Sequence, residues 1–146
     1  MATFSRTVEV DWTGPIMEGT GVAKAGTGAF NLPVSFPKRI GDPGGVTSPE
    51  EFIAAAHAAC YAMALNGTLG RKGAKARSTK VTATVVADKT DAGITLTTSK
   101  LKAVAEGLEG IPKEQFAEVA REAEGRCPIS NALRGTMTIE LDASAR

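Results

Sequence analysis

Two cysteines and the single histidine are the residues of this chain best suited to redox or metal chemistry. His57 and Cys60 lie in the apolar stretch "SPEEFIAAAHAACYAMALNGTLGRKG", and Cys127 lies in "GRCPISNALRG". Residues three apart on a helix share a face, so His57 and Cys60 are predicted neighbours. In a cytosolic protein, two cysteines are more often buried, metal-binding or redox-active than a permanent disulfide.

Cys127 stands before Pro128, and proline favours the first position of a helix, so Cys127 is predicted at the N-terminus of a short helix. Unpaired N–H groups there favour a thiolate. Two alternatives stay open: Cys60 as an inert buried side chain, and Cys127 as a thiol that only precedes a helical turn. A disulfide between them requires Cα atoms within about 7 Å, which the sequence does not show.

Zinc is the rival chemistry, because His57, Cys60 and Cys127 would supply three ligands, enough for a catalytic-type site. The chain contains no C-x-x-C pair and no second histidine, so we predict neither a metal nor a cofactor. Serine hydrolysis is disfavoured because there is no G-x-S-x-G turn. The glycine-rich run 19–28 is not followed by a strand-to-helix switch, which argues against a phosphate loop.

A long helix must position His57 and Cys60. Ser48 is a good N-cap, Pro49 suits the first helical position, and Glu51 completes a capping box. The predicted helix runs to about Gly70 or Gly73 and is apolar on nearly all faces. A helix of that kind is buried all round, which in a small domain indicates packing between a sheet and another helix, or against another subunit.

The other elements predict an α+β fold with a largely antiparallel sheet, in one domain over residues 1–146. The run 38–49 is predicted as a loop, and residues 89–93 as a hairpin loop. A helix over 112–125 with Gly125 as its C-cap precedes the short Cys127 helix. The predicted strands are 7–12, 21–26, 30–36 at a sheet edge because of Pro33, 79–88, 93–106 and 136–143.

Composition narrows the function classes. The chain is 42% hydrophobic and 23% charged with a net charge of +1, which gives no footprint for nucleic acid or an acidic membrane. The basic run 70–80 is predicted as a solvated loop. The apolar run 52–65 is too short to span a bilayer, and the N-terminus lacks the apolar core of a signal peptide. We therefore predict a cytoplasmic protein.

The segments "TSPEEFIAAAHAACYAMAL" and "CPISNALRG" resemble the OsmC/Ohr family of thiol-dependent hydroperoxide reductases. The resemblance covers most of the chain and includes the early W-x-G at Trp12 and the D-x-x-D-A-G hairpin from Asp88 to Gly93. The histidine before Cys60 is similar to the OsmC branch. The Ser-Asn and Arg-Gly pairs after Cys127 are similar to the Ohr branch. We assign the chain to the OsmC branch.

The resemblance implies a role for each candidate residue. Cys60 matches the family's peroxidatic cysteine, Cys127 its resolving cysteine, and Glu50 the glutamate that follows the proline. The cation that holds the thiolate is implied to be Arg39, with Lys38 beside it in a loop one residue longer than the usual pattern. The implied reaction reduces organic hydroperoxides, and hydrogen peroxide more weakly, through a Cys60 sulfenic acid and a Cys60–Cys127 disulfide that a dithiol, such as a lipoyl group, reduces.

The resemblance also implies an intertwined homodimer, with antiparallel sheets around a buried cysteine-bearing helix from each subunit, and an antioxidant role in oxidative and osmotic stress. Ten residues of helix span about 15 Å, so a shared site requires a break between Glu50 and Cys60, or a second subunit. His57 is interpreted as a hydrogen-bonded core residue, the alternative being a role in proton transfer or thiol tuning. Other functions stay open: a redox sensor, a small-molecule binder, or a structural dimer with inactive cysteines.

Overall fold

A computed structural model describes all residues, Met1–Arg146, and gives six strands and four α-helices. The α+β class is therefore confirmed. The chain forms two compact units, Met1–Phe52 and Ile53–Arg146, and each is described separately. The prediction of one domain over residues 1–146 stays a prediction.

The first unit is built on an antiparallel sheet of three short strands in the order β1-β2-β3. They are β1 (Val8–Thr13), β2 (Thr20–Ala25) and β3 (Asn31–Val34). Trp12 pairs with Gly21, where an added Cβ would lie 2.8 Å from Trp12 Cε3 and 2.9 Å from Val34 Cγ2. Only glycine lets these side chains approach the backbone so closely.

The first unit has almost no hydrophobic core of its own. Ala23 is its one fully buried hydrophobic residue. Alternate residues of β1, namely Val8, Val10 and Trp12, share one face of the strand and are all exposed. An apolar row of this kind on an edge strand is normally covered by another element or chain.

A short helix, α1 (Phe36–Ile40), replaces part of the predicted loop 38–49 and the end of the predicted strand 30–36. Ser35 caps it, because its Oγ accepts the Lys38 N–H at 3.3 Å, and a proline occupies its first turn. This Ser-x-Pro arrangement is a helix start that the sequence reading missed.

Helix α2 (Pro49–Arg71) is unbroken over 23 residues. The Oγ of Ser48 accepts the Glu51 N–H at 3.2 Å, which confirms the predicted cap. The capping box is only half formed, because the Glu51 carboxylate accepts the Thr47 hydroxyl at 2.6 Å instead of reaching back to the Ser48 N–H.

By length and composition alone α2 is apolar enough to cross a membrane, with a mean hydropathy of 1.3 over its best window. The length argument drawn from residues 52–65 was therefore too simple, since the helix is longer than that run. A buried stripe of Tyr61, Leu65 and Leu69 places α2 in the hydrophobic core of the second unit, where an apolar helix also belongs.

The second unit contains a long antiparallel hairpin of β4 (Lys75–Thr90) and β5 (Gly93–Glu109). The last strand, β6 (Thr138–Ala145), pairs with β5 in parallel and is the one exception to the largely antiparallel pairing that the sequence predicted. The physical reason is the intervening pair of helices, which form a crossover that brings the chain back in the same direction.

Two further boundaries differ from the sequence reading. The basic run 70–80 is not a loop, because α2 ends at Arg71 and residues from Lys75 onward belong to β4. Ala76 packs against the core while its charged neighbours face outward, so strand alternation accommodates the charges.

Helix α3 (Phe116–Arg126) continues one residue past the predicted cap at Gly125, and α4 (Pro128–Leu133) follows directly. The inward row of β5 meets α2 and α3 in the core. Its members are Ser99, Leu101, Ala103 and Ala105, and the α3 stripe consists of Phe116, Val119, Ala120 and Ala123, as predicted.

Candidate thiol site

Cys60 and Cys127 are neighbours in the second unit, and both are free thiols. Cys60 is partly buried on α2, and Cys127 is fully buried at the start of α4. The fold therefore brings together two side chains that are 67 positions apart in the sequence.

The environment that this chain gives Cys60 raises the pKa of its thiol. Burial is the largest cause, the Ile129 backbone N–H opposes it by favouring the thiolate, and the nearby Cys127 raises the pKa further. A thiolate at neutral pH therefore requires a positive charge in addition to the groups around Cys60 in this unit.

Cys127 occupies the N-cap position of α4, as the sequence predicted. Its Sγ accepts the Ser130 backbone N–H at 3.5 Å, and its carbonyl accepts the Asn131 N–H at 3.0 Å. The sulfur is thus oriented by the first turn of the helix that it caps.

His57 is fully buried and both of its ring nitrogens are hydrogen-bonded. Nδ1 lies 2.6 Å from Ser99 Oγ and Nε2 lies 2.7 Å from Ser130 Oγ. Burial lowers the pKa of His57, with a smaller opposing effect from Glu124, so the imidazole is neutral at pH 7. His57 thus lies in a hydrogen-bonded core environment, and the interpretation of its role stays a prediction.

Ser99 was not singled out from the sequence, and Ser130 was noted only as part of the Ser-Asn pair after Cys127, without a role. Ser99 begins the alternating inward row that continues with Leu101 and Ala103, and it is the polar member of that row. Ser130 is the third residue after Cys127, where a helix turns back toward its N-cap.

The His57, Cys60 and Cys127 side chains do not form a zinc ligand set. Both imidazole nitrogens face serine hydroxyls. The structure places no three His, Cys, Asp or Glu side chains together so that they could hold a metal ion.

Arg39 and Glu50 form a forked ion pair in the first unit. Arg39 Nε donates to both carboxylate oxygens at 3.1 Å, and Nη2 donates to Oε1 at 2.6 Å. The hydrogen bond from Arg39 lowers the pKa of Glu50, and the same bond raises the pKa of Arg39. The Glu50 carboxylate thus lies against the Nε–Nη2 edge of the guanidinium, and Nη1 makes no hydrogen bond to it.

The candidate residues fall into two groups. Cys60, Cys127 and His57 come together in the second unit, and Arg39 and Glu50 come together in the first. Lys38, the alternative cation, has its Nζ beside Gly44.

The surface cavities of the second unit do not identify a substrate site. A cavity of about 360 Å³ lies over β4 and β5 and is lined by residues such as Lys80, Lys102 and Glu106. Two others, of about 340 and 190 Å³, lie beside β6. None of the three is lined by Cys60 or Cys127, so their position gives no reason to place peroxide binding there.

Comparison with known proteins decides the family, since the family model described as OsmC-like protein matches residues 41–142. The chain belongs to the OsmC family. The family prediction drawn from the cysteine motifs is confirmed.

Relatives in this family carry both OsmC and hydroperoxide-resistance names. Peroxiredoxin OsmC of Escherichia coli K12 is 36% identical over 140 residues, 94% of this chain and 96% of that protein. Organic hydroperoxide resistance protein-like 2 of Staphylococcus epidermidis RP62A is 33% identical over 80% of this chain and 82% of its own length.

A solved structure confirms the OsmC-type fold. The organic hydroperoxide resistance protein OsmC of Legionella pneumophila superposes with a TM-score of 0.78 at 25% identity, over 99% of each chain. The predicted fold family is therefore confirmed.

Proposed function

We propose that this protein is a thiol-dependent peroxidase that reduces organic hydroperoxides to alcohols. The observation that carries the proposal is the juxtaposition of a partly buried Cys60 and a buried Cys127, both free thiols, in one unit. The 36% identical relative is named a peroxiredoxin, which agrees with this oxidoreductase class.

In the first step the Cys60 thiolate attacks the terminal oxygen of the hydroperoxide. The O–O bond breaks, the alkoxide takes a proton and leaves as alcohol, and the sulfur retains the OH as a sulfenic acid. The Ile129 backbone N–H is the thiolate-stabilising group that this unit supplies.

In the second step the Cys127 sulfur attacks the sulfenic sulfur. The S–O bond breaks, the OH leaves with the thiol proton as water, and a Cys60–Cys127 disulfide forms. A dithiol then reduces the disulfide by two exchange steps and is itself oxidised. A lipoyl-type dithiol is the reductant we expect from the family resemblance, and the cytoplasm is the expected compartment.

Arg39 is the proposed cation for the Cys60 thiolate, positioned by Glu50. Its fork holds the carboxylate by Nε and Nη2 and leaves Nη1 for sulfur. Helix α2 has no break, and ten residues of helix rise about 15 Å, so we propose that the Arg39–Glu50 pair serves the Cys60 of a partner subunit.

A homodimer is the assembly that this proposal requires. The exposed apolar row of Val8, Val10 and Trp12, together with the exposed Met63 on the cysteine helix, supports it. A second copy of the chain would remove these side chains from water.

We expect organic hydroperoxides to be better substrates than hydrogen peroxide. The residues that flank Cys60 on its helix are mostly alanines. The alkyl group of a hydroperoxide therefore gains about 0.8 kcal/mol of binding free energy for each CH₂ that it buries there. Hydrogen peroxide has no apolar group to bury.

Single-turnover oxidation of the reduced protein by cumene hydroperoxide tests the proposal, with hydrogen peroxide in parallel and intact-mass analysis of quenched samples. We expect wild type to form one Cys60–Cys127 disulfide per chain and to turn over with dithiothreitol. Cys60→Ser should not react, and Cys127→Ser should react once and then stop or over-oxidise.

A non-catalytic redox sensor or a small-molecule binder would instead show no sustained peroxide consumption with dithiothreitol. If Cys60→Ser still consumes peroxide while Cys127→Ser fails to react even once, the roles of the two cysteines are inverted. A higher kcat/KM for hydrogen peroxide than for cumene hydroperoxide contradicts the apolar-site argument alone.

A further inference from the structure

His57 connects the helix that carries Cys60 to the turn that carries Cys127. It lies three residues before Cys60 on α2, on the same side of the helix. Its Nε2 is 2.7 Å from the hydroxyl of Ser130 in the first turn of α4. A buried hydrogen bond beside the thiols thus joins the two cysteine-bearing elements.

Ser130 makes two hydrogen bonds that link His57 to the sulfur of Cys127. Its side-chain oxygen meets His57, and its backbone N–H donates to Cys127 Sγ at 3.5 Å. The residue that His57 holds is therefore the same residue that orients the sulfur. A change in the position of Ser130 changes the position of Cys127 relative to Cys60.

Other hydrogen bonds hold the outer side of the same turn against α3. Arg134 donates to Glu124 at 2.6 Å, and the side chain of Asn131 donates to the Gly125 carbonyl at 3.1 Å. These contacts tie α4 to the end of α3. Inward, toward the helix of the other cysteine, the turn is held by the His57 bond to the Ser130 side chain and by the Ile129 N–H toward Cys60.

A purely space-filling role does not explain this arrangement. An apolar side chain would fill the site without the cost of burying an imidazole and two hydroxyls. Here every buried side-chain polar atom finds a partner, including those of His57, Ser99 and Ser130. A neutral imidazole has one donor and one acceptor, so the chain Ser99–His57–Ser130 fixes the ring and Ser130 together.

We propose that His57, through Ser130, is a positioning residue for disulfide formation. This inference rests on the proposed function. It concerns the second step, in which the Cys127 sulfur displaces OH from the Cys60 sulfenic acid and the OH leaves as water with the thiol proton. His57 holds Cys127 at attack distance and takes no part in the bond changes.

Two amide substitutions separate the bonds of His57. The Asn amide places its nitrogen near the position of Nδ1 and so retains a donor toward Ser99. The longer Gln amide places its nitrogen near the position of Nε2 and retains the bond to Ser130. If the Ser130 bond is the one that matters, His57→Gln preserves disulfide formation and His57→Asn does not.

The two steps are measured on the reduced full-length protein mixed with one equivalent of cumene hydroperoxide. Peroxide loss reports the first step, and timed alkylation with intact-mass analysis reports the disulfide. For His57→Asn we expect disulfide formation to slow about ten- to hundredfold, because misplacement by about 1 Å costs that much. Sulfinic Cys60 should accumulate in that variant at excess peroxide, and His57→Gln should stay within about threefold of wild type.

Ser130→Ala provides the second route to the same answer, since it removes the hydroxyl and keeps the N–H to Cys127. It should slow disulfide formation as His57→Asn does, and it decides the question if the histidine variants fail to fold. Thr68→Val is the matched control, because Thr68 is a fully buried residue of α2 whose hydroxyl bonds only within its own helix, to the Ala64 carbonyl and Arg71.

Several results would overturn the inference. The first is an equal rate of disulfide formation in His57→Gln and His57→Asn, and the second is equal slowing of peroxide loss and disulfide formation in His57→Asn. The third is a wild-type rate of disulfide formation in Ser130→Ala. The fourth is a Thr68→Val effect as large as the Ser130→Ala effect. A wild-type protein that consumes no peroxide would instead remove the proposed function, so the two failures are distinguishable.

Discussion

The two compact units of the chain differ in how they handle apolar side chains. Of the fully buried hydrophobic residues, Ala23 alone belongs to Met1–Phe52, and the others, from Tyr61 to Met137, belong to Ile53–Arg146. Exposed large hydrophobic residues show the reverse distribution, with Met63 as the one example beyond Phe52. One unit carries its own core, and the other presents apolar surface.

The two units therefore differ in the source of their stability. The second unit buries Cys127, its histidine and a hydrophobic core that extends from α2 to α3. The first unit has a small sheet and a charged Arg39–Glu50 pair, and the apolar row of β1 is exposed.

Leu65→Ala should have the largest effect, because Leu65 is fully buried in the core of the second unit. Truncation of a buried leucine lowers the free energy of unfolding by about 2–5 kcal/mol. Urea denaturation at fixed protein concentration measures it. Leu65→Met conserves volume and should cost less than about 1.5 kcal/mol. Equal losses in the two variants would contradict a tightly packed core at this position.

Arg39→Ala tests whether the first unit serves the chemistry of the second. Removal of electrostatic stabilisation of this kind costs about 2.7–4 kcal/mol, so Cys60 oxidation should slow about a hundred- to thousandfold. Because burial raises the Cys60 pKa, the variant's rate should continue to rise with pH into the alkaline range, beyond the pH at which wild type levels off.

Arg39→Lys is the matched control and should recover only part of the rate, since a point charge does not fork between carboxylate and sulfur. Stopped-flow oxidation as a function of pH measures both variants. Equal rates in wild type and Arg39→Ala would remove Arg39 from the mechanism and direct attention to Lys38.

Val10→Asp tests whether a second copy covers β1. A carboxylate that is buried in an interface without a partner is unfavourable, and in a symmetric dimer it is buried on both subunits. The dissociation constant of the dimer should therefore rise at least about tenfold, equivalent to about 1.4 kcal/mol. Sedimentation equilibrium measures it, with Glu9→Ala on the opposite strand face as control. Wild type that remains a single 15.1 kDa species at micromolar concentration would refute the homodimer.

His57→Gln should have the smallest effect, on the pH dependence of stability. The pKa of His57 is lowered by burial, so below about pH 6.5 the unfolded chain takes up a proton that the folded chain does not. Wild type should therefore lose stability on acidification faster than the variant, by at most about 1.4 kcal/mol per pH unit. Because the chain has one histidine, the difference between two denaturation series isolates it. Parallel pH profiles for the two proteins would contradict a neutral buried imidazole.

Local signals in the sequence predicted much of the fold. Ser48 and Pro49 marked the start of α2, the β4–β5 hairpin followed from alternation and its glycine turn, and the Phe116 stripe marked α3. The parallel pairing of β6 was not predicted, because register and direction between distant strands depend on the crossover between them and leave no local pattern.

The candidate site divides in the same way. Residue type and helical spacing identified Cys60 and His57, and Pro128 identified the cap at Cys127. The pairing of Arg39 with Glu50 and the serine partners of His57 depend on how separate elements meet, so periodicity alone did not give them. For Arg39 and Glu50 the family resemblance supplied what spacing did not.

The placement of the two cysteines has a consequence for the entropy of the unfolded chain. They are adjacent in space, yet β4, β5 and α3 all lie between them in the sequence. A bond between sulfurs 67 positions apart closes a long loop and, on a chain-entropy view, disfavours unfolding by about 4 kcal/mol. Formation of the disulfide would thus raise the free energy of unfolding, and reduction of the disulfide would lower it again. The melting temperature of the protein would then report the fraction of chains that carry the disulfide and have not yet been reduced.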